Sequence, residues 1–118
     1  MASGGTSWTA DPRGPDHQRI CRALELANVR WSKRTGEWLL RHFDPNVYSQ
    51  DRVRLLLLRH IRDGGTVKGQ RNEDGAEFEV WFAVELIMDG QARFIKFGIE
   101  PEDDEYPGIT IISTHPPH

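Results

Sequence analysis

Apolar and polar residues alternate most regularly over residues 77–99. Two runs rich in β-branched and aromatic residues, 77–88 and 91–99, flank the pair Asp89 and Gly90. An Asp-Gly pair between two such runs is typical of a β-hairpin with a type I′ turn, because that turn requires φ > 0 at both central residues. The pattern therefore predicts two antiparallel strands joined by a two-residue loop.

The register of this hairpin sorts its side chains onto two faces. Side chains two positions apart in a strand share a face, so the apolar residues collect on one of them. The predicted pairs of this apolar face are Met88 with Gln91, Leu86 with Arg93, Val84 with Ile95, Phe82 with Phe97 and Val80 with Ile99. The other face is mixed, and it is where we look for function. It carries Glu79, Trp81, Glu85, Phe94 and Lys96.

Three segments with helical spacing precede the hairpin, at residues 16–29, 35–43 and 50–63. Asp16 and Ser49 are the predicted N-caps of the first and third, since a short polar side chain can accept a hydrogen bond from the first helical turn. The third helix has the widest apolar stripe, which predicts that it packs across the sheet. The residues of that stripe are Val53, Leu56, Leu57 and Ile61.

Short strands are predicted on both sides of the hairpin, at residues 66–71 and 109–115. Helices followed by strands indicate an α+β fold, in which N-terminal helices pack on one face of a three- to four-stranded antiparallel sheet. Residues 1–14 are rich in Gly, Ser, Thr and Pro without periodicity, and we expect them to be mobile. Residues 15–118 are predicted to form a single domain.

Composition narrows the classes of protein to which the chain can belong. None of its 118 residues falls in an apolar run near the roughly 18 residues that a membrane-spanning helix needs, and residues 1–8 lack the features of a signal peptide. The single cysteine, Cys21, excludes an intrachain disulfide. We therefore expect a cytoplasmic protein that does not associate with membranes.

The net charge of −3 is unevenly distributed along the chain. Residues 1–71 hold 13 Lys and Arg against 7 Asp and Glu, whereas residues 72–118 hold 2 against 11. A basic half can bind phosphates and an acidic half can bind a basic partner, but the two halves can also face each other within the fold. The sequence leaves these alternatives open.

No metal or cofactor motif is present, so we expect neither. Acid–base chemistry on the mixed face of the hairpin remains. Cleavage of RNA through its 2′-hydroxyl needs a base, an acid and a cation beside the phosphorane, for which Glu85, His115 and Lys96 are the predicted catalytic residues. The residues expected to bind substrate, by base stacking or by charge, are Trp81, Phe94, Arg41, His42, His60, Lys68 and Arg71.

Two stretches carry a resemblance to known proteins. A penultimate strand that bears a lysine, Ala-Arg-Phe-Ile-Lys-Phe-Gly-Ile at 92–99, precedes a last strand, Ile-Thr-Ile-Ile-Ser-Thr-His at 109–115. With the helix and hairpin before them, these stretches resemble the RelE/barnase-like endoribonuclease toxins, most nearly the motility quorum-sensing regulator type. The resemblance implies a metal-independent endoribonuclease of a toxin–antitoxin system, with RNA and an antitoxin as partners. It places Lys96 first, and His115 next, among the catalytic positions.

A non-catalytic protein-binding module, such as an adaptor or an immunity-like protein, is the alternative. Charged residues on an exposed strand face are ordinary, and the diagonal positions of Glu85 and Lys96 predict an ion pair worth under about 1 kcal/mol. In this alternative the acidic residues 102–105 and the basic helix face contact a partner. A basic cleft around Lys96 would favour the enzyme, and a flat acidic sheet would favour the binder.

Overall fold

The computed structural model describes residues 7–12, 14–71, 80–100 and 105–115. In these ranges three helices cover one face of a six-stranded sheet. The elements, in chain order, are β1 (Ser7–Thr9), α1 (Pro15–Glu25), β2 (Val29–Trp31), α2 (Lys33–His42), α3 (Gln50–Arg62), β3 (Lys68–Arg71), β4 (Val80–Met88), β5 (Gln91–Glu100) and β6 (Gly108–His115). The strand order in the sheet is β1-β3-β4-β5-β6-β2.

The central hairpin of β4 and β5 has the predicted register. Met88 pairs with Gln91, and Phe82 pairs with Phe97. Asp89 and Gly90 have φ of 53° and 73°, the left-handed values that a type I′ turn needs. The backbone N–H of Asp89 also donates a hydrogen bond of 2.9 Å to the Tyr48 hydroxyl, which ties the turn to the helical layer. Residues 77–79, predicted as the start of the first strand, lie outside the described residues.

The core lies between the apolar face of the hairpin and the helices. Phe82 and Phe97 stack with ring centroids 6.0 Å apart. Val53, Leu57 and Ile61 of α3 are buried in the same cluster, which confirms that the third helix packs on this face. The strand side opposite to the helices is the open face of the sheet. No helix in the described part of the chain is long and apolar enough to span a membrane.

Helix ends agree with the sequence where a side chain forms the cap. Ser49 accepts a hydrogen bond of 3.1 Å from the backbone N–H of Arg52, as predicted for α3. The predicted cap Asp16 is wrong, because α1 begins at Pro15 with Gly14 as its N-cap and no side-chain cap bond. A proline at the first helical position needs no amide partner, since its nitrogen carries no hydrogen.

The sheet is larger than the sequence pattern indicates, and it is mixed rather than purely antiparallel. The prediction of three to four antiparallel strands missed two edge strands, β1 and β2. β2 pairs in parallel with β6, with Val29 opposite Ile109. β1 falls in the segment that was expected to be mobile. Each of these strands has three residues, too short for a detectable alternation, and each depends on a partner distant in sequence.

The packing of Trp8 shows what holds β1 in place. Trp8 lies opposite Gly69 in the register, and its ring fills the space that a Cβ at Gly69 would occupy. The same ring makes an edge contact with Phe82, with centroids 6.3 Å apart. Ala10, which follows the strand, is buried and donates its N–H to the Val67 carbonyl at 2.8 Å. Tertiary contacts therefore order a stretch for which the composition predicted mobility.

A β-bulge between Lys96 and Phe97 changes which face the end of β6 presents. Before the bulge Ile111 pairs with Phe97 and is buried, whereas after it Ser113 pairs with Lys96. Simple alternation would have put Ile111 and Ser113 on one face. The hydroxyl of Thr35, at the start of α2, donates a 2.8 Å hydrogen bond to the carbonyl of Ile112 at this irregularity.

Candidate functional site

The open face of the sheet consists of rows of side chains that run across neighbouring strands. One row follows the pairs Lys68–Ala83, Ala83–Lys96 and Lys96–Ser113. Strands are about 4.8 Å apart, so the two lysines begin about 10 Å apart with the small Ala83 between them. The register thus places two positive side chains on either side of a low point in the sheet surface.

Two further rows lie on either side of the lysine row. On one side Gln70 pairs with Trp81, and Trp81 pairs with Gly98. On the other side Glu85 pairs with Phe94. Because residues two apart in a strand are about 6.7 Å apart, the aromatic Trp81 and the acidic Glu85 are about 13 Å apart along β4.

The first of two clefts on this face lies where β4 extends past the end of β3. We call it the His60 cleft; its volume is about 330 Å³. Its lining combines an imidazole, an amine, a carboxylate and an aromatic ring, contributed by the end of α3, the following loop and three strands. The principal lining residues are His60, Thr66, Lys68, Glu85, Ile87 and Phe94.

The imidazole of His60 is held in place by its neighbours. Its Nε2 lies 3.0 Å from the carbonyl oxygen of Thr66, and because a carbonyl only accepts, Nε2 is the donor. The other ring nitrogen, Nδ1, is then the one that exchanges a proton. Gly65 makes room for the ring, since a Cβ at that position would collide with it. Gly65, just beyond the end of α3, therefore positions the histidine of that helix.

The second cleft adjoins the first toward β1. We call it the Trp81 cleft; its volume is about 310 Å³. It shares Lys68, Ala83 and Phe94 with the His60 cleft, so the two form one continuous depression. The residues found only in this cleft are Ser7, Gly69, Gln70 and Trp81.

Lys96 contacts an aromatic ring rather than a carboxylate. Its Nζ lies 4.1 Å from the centroid of the Trp81 ring, a cation–π contact. The predicted ion pair with Glu85 is not among the salt bridges between described residues. The amine of Lys96 thus lies over an aromatic ring on the open face, and Glu85 lines the His60 cleft instead.

Three of the predicted substrate-binding residues lie away from this depression. Arg41 and His42 are on α2, in the helical layer, where His42 stacks on Trp38 with ring centroids 4.7 Å apart. Arg71 pairs with Val80 and shares the strand side of the buried Phe82, not that of Lys68. The prediction that these three residues border the open face is therefore wrong, because strand alternation and the position of α2 direct them to the other side.

The remaining predicted residues come together on the open face. Glu85, Lys68, His60 and Phe94 share the His60 cleft, and Trp81 lines its neighbour. The backbone of His115 pairs with Phe94, which puts this position at the side of the same row; its side chain lies outside the described residues. Sequence inspection missed Gln70 and Ala83, although the two-residue spacing of Lys68 and Gln70 in a short strand was a usable signal.

No group of three His, Cys, Asp or Glu side chains within the described ranges is arranged to hold a metal ion. No protein-family model matches the chain, and the curated proteins and the solved structures likewise contain no match. The chemistry of the open face is therefore what points to a function.

Proposed function

We propose that this protein is an endoribonuclease that cleaves single-stranded RNA on the open face of its sheet. The observation that carries the proposal is the meeting of Glu85, His60 and Lys68 in one cleft. A carboxylate, an imidazole and an amine are the base, acid and cation that transfer to the 2′-hydroxyl requires.

These three side chains are sufficient for every proton transfer and bond change of the cleavage. The Glu85 carboxylate takes the proton of the 2′-hydroxyl as the 2′-oxygen attacks phosphorus. The bond from phosphorus to the 5′-oxygen breaks, and His60 in its imidazolium form donates the Nδ1 proton to that leaving oxygen. Lys68 stabilises the charge that develops on the phosphorane. The products are a 2′,3′-cyclic phosphate and a 5′-hydroxyl end.

The aromatic residues favour a single-stranded substrate. In a duplex the faces of the bases are covered by their neighbours, whereas unpaired bases can stack on exposed aromatic rings. Trp81 and Phe94 line the two clefts at the positions where such bases would lie. Lys96, next to Trp81 on the same surface, adds a positive charge for binding. The backbone of His115 continues the row of Phe94.

Replacing Glu85, the proposed general base, tests the proposed activity. Glu85→Gln keeps the shape of the side chain but removes the proton acceptor, and it should lower the rate of cleavage of single-stranded RNA by about 10²-fold or more. The matched control is Glu37→Gln, on the exposed side of α2 in the helical layer, which should leave the rate unchanged. The measurement is the appearance of 2′,3′-cyclic phosphate ends over time.

If protein freed of any bound partner leaves RNA intact across pH 5–9, the proposed ribonuclease activity is refuted and the protein-binding alternative is favoured. Equal rates for Glu85→Gln and the wild type would instead place the chemistry elsewhere on the molecule. A chelator that abolishes cleavage would show that the three side chains do not act alone.

A further inference from the structure

The lysine row offers a site for one particular phosphate of the substrate. Lys68 and Lys96 flank Ala83 from the two neighbouring strands. Ala83 is half-buried and lines both clefts, so the surface between the lysines is the point at which the two depressions join. The methyl group of alanine leaves space there for a bulky anion.

The residues on either side of that point differ in chemistry. Toward β1 the Trp81 cleft offers an indole ring and the Gln70 carboxamide, which can both donate and accept hydrogen bonds at the edge of a base. Toward the β-turn the His60 cleft offers the acid–base residues. An aromatic and amide site lies next to an acid–base site, Lys68 lines both, and Lys96 flanks Ala83 from β5. This arrangement matches the repeating order of base, phosphate and sugar in a nucleic acid strand.

We infer that Lys68, Ala83 and Lys96 form a phosphate seat, with one unpaired base bound beside it in the Trp81 cleft and the adjoining nucleotide in the His60 cleft. This rests on the RNA binding proposed above. The minimal ligand is therefore a dinucleotide with a charged linkage, and Gln70 is the residue that distinguishes one base from another at the first position.

A substitution at Ala83 tests the seat without removing a charge or a proposed catalytic group. Ala83→Val fills the space between the lysines, and valine is well tolerated in strands. Ala92→Val is the matched control, because Ala92 is a half-buried alanine on β5, opposite Ile87, that lines neither cleft. Thermal denaturation of both variants confirms that each is folded.

The ligands are 2′-deoxy dinucleotides of each base, which cannot be cleaved through a 2′-hydroxyl, and their uncharged methylphosphonate analogues. Calorimetric titration should show the phosphodiester binding about tenfold or more tightly than the methylphosphonate, the scale of a charged hydrogen bond. Ala83→Val should abolish that difference, Ala92→Val should preserve it, and Gln70→Ala should even out the preference among bases.

The outcomes separate this inference from the proposed activity. Equal binding of charged and uncharged ligands, or unchanged binding by Ala83→Val, overturns the phosphate seat even if RNA is cleaved. An even preference among bases in the wild type overturns the role of Gln70. Charge-dependent binding that Ala83→Val removes supports the seat, and if the same protein leaves RNA intact, it is the cleavage proposal that fails.

Discussion

At the scale of single residues, Gly65 decides where the imidazole of His60 lies. Its missing side chain leaves the space that the ring occupies, and the Nε2 bond to Thr66 fixes the orientation of the ring. The adjacent Gly64 has a different role, because its φ of 84° is a left-handed value that ends the helix, and open space surrounds it. One of the two neighbouring glycines thus makes room for a side chain, and the other allows the backbone to leave the helix.

This separation predicts opposite phenotypes for the two alanine substitutions. Gly65→Ala should displace the His60 ring and lower RNA cleavage by about 10²-fold, the scale of a misplaced catalytic group, with little change in stability. Gly64→Ala should cost about 1–2 kcal/mol of folding free energy through its left-handed backbone while the folded protein keeps its rate. Full activity in Gly65→Ala would contradict the assignment of His60.

Cys21 shows how burial controls a side chain outside the site. Burial raises the pKa of its thiol above the usual 9.0, Glu25 adds to the increase, and Arg62 opposes it. A raised pKa means less thiolate at a given pH, so Cys21 should react with iodoacetamide at pH 8 more slowly in the native protein than in urea. Equal rates would show that the thiol is as accessible in the folded state as in the unfolded one.

The same pKa difference has a consequence for stability. The folded state holds the thiol proton more tightly than the unfolded state, so this contribution is fully present below pH 9.0 and is lost as the pH rises through the folded pKa. Denaturant titrations of the wild type and Cys21→Ala at pH 8 and pH 10 would measure the loss.

At the scale of elements, α3 packs one stripe of apolar side chains into the core beneath the sheet. Leu57 is fully buried, whereas Leu55 on the same helix is 45% exposed. Leu57→Ala should therefore lower the free energy of unfolding by about 2–5 kcal/mol, the usual cost of emptying a buried leucine site. Leu55→Ala is the control, and its effect should stay within about 0.5 kcal/mol. A similar small change for Leu57→Ala in denaturant titrations would show that a different face of α3 is buried.

At the same scale, the bulge in β6 affects which residues reach the proposed site. It moves Ser113 and the His115 position to the open face while Ile111 stays in the core. Thr35 and Ser32, at the start of α2, direct their hydroxyls to the Ile112 carbonyl at 2.8 and 3.4 Å. The helical layer thereby fixes an irregularity whose effect appears on the other side of the sheet.

At the scale of the whole molecule, the basic and acidic halves of the chain do meet. Arg30 in β2 forms an ion pair of 3.6 Å with Glu100 at the end of β5, and Glu105 lines a depression with Arg19 and Arg22 of α1. Such exposed contacts contribute little to stability. They do show that some basic residues of the first half of the chain contact acidic residues of the second half within the fold.

With a net charge of −3 the protein has no overall electrostatic attraction for RNA, so the proposed binding depends on local positive charge. The inferred seat holds one phosphate, and each phosphate neutralised on a single strand contributes a slope of about −0.7 to the dependence of log K on log salt, so the expected slope is about −0.7. Titrations at pH 8 in increasing salt would measure it. A slope near −4 would require a larger basic surface, such as the arginines of the helical layer. The Lys68→Ala variant should reduce the slope by about half.

Local sequence patterns are enough to predict the hairpin, the three helices and the division between the core face and the open face. Asp89-Gly90 fixes the turn, the turn fixes the register, and the two-residue period then separates Phe82 and Phe97 from Trp81 and Lys96. These are local rules, so a single chain segment contains all the information that they need.

The edge strands, the bulge and the set of residues lining each cleft depend instead on contacts between segments distant in sequence. β1 and β2 exist because distant partners satisfy their backbone groups, and no pattern of three residues encodes that pairing. His60, near the end of α3, lines the same cleft as Lys68 and Glu85, whereas Arg41 and His42 remain with the helices. Packing between distant segments brings side chains from separate elements into one cleft, and local alternation carries no information about that packing.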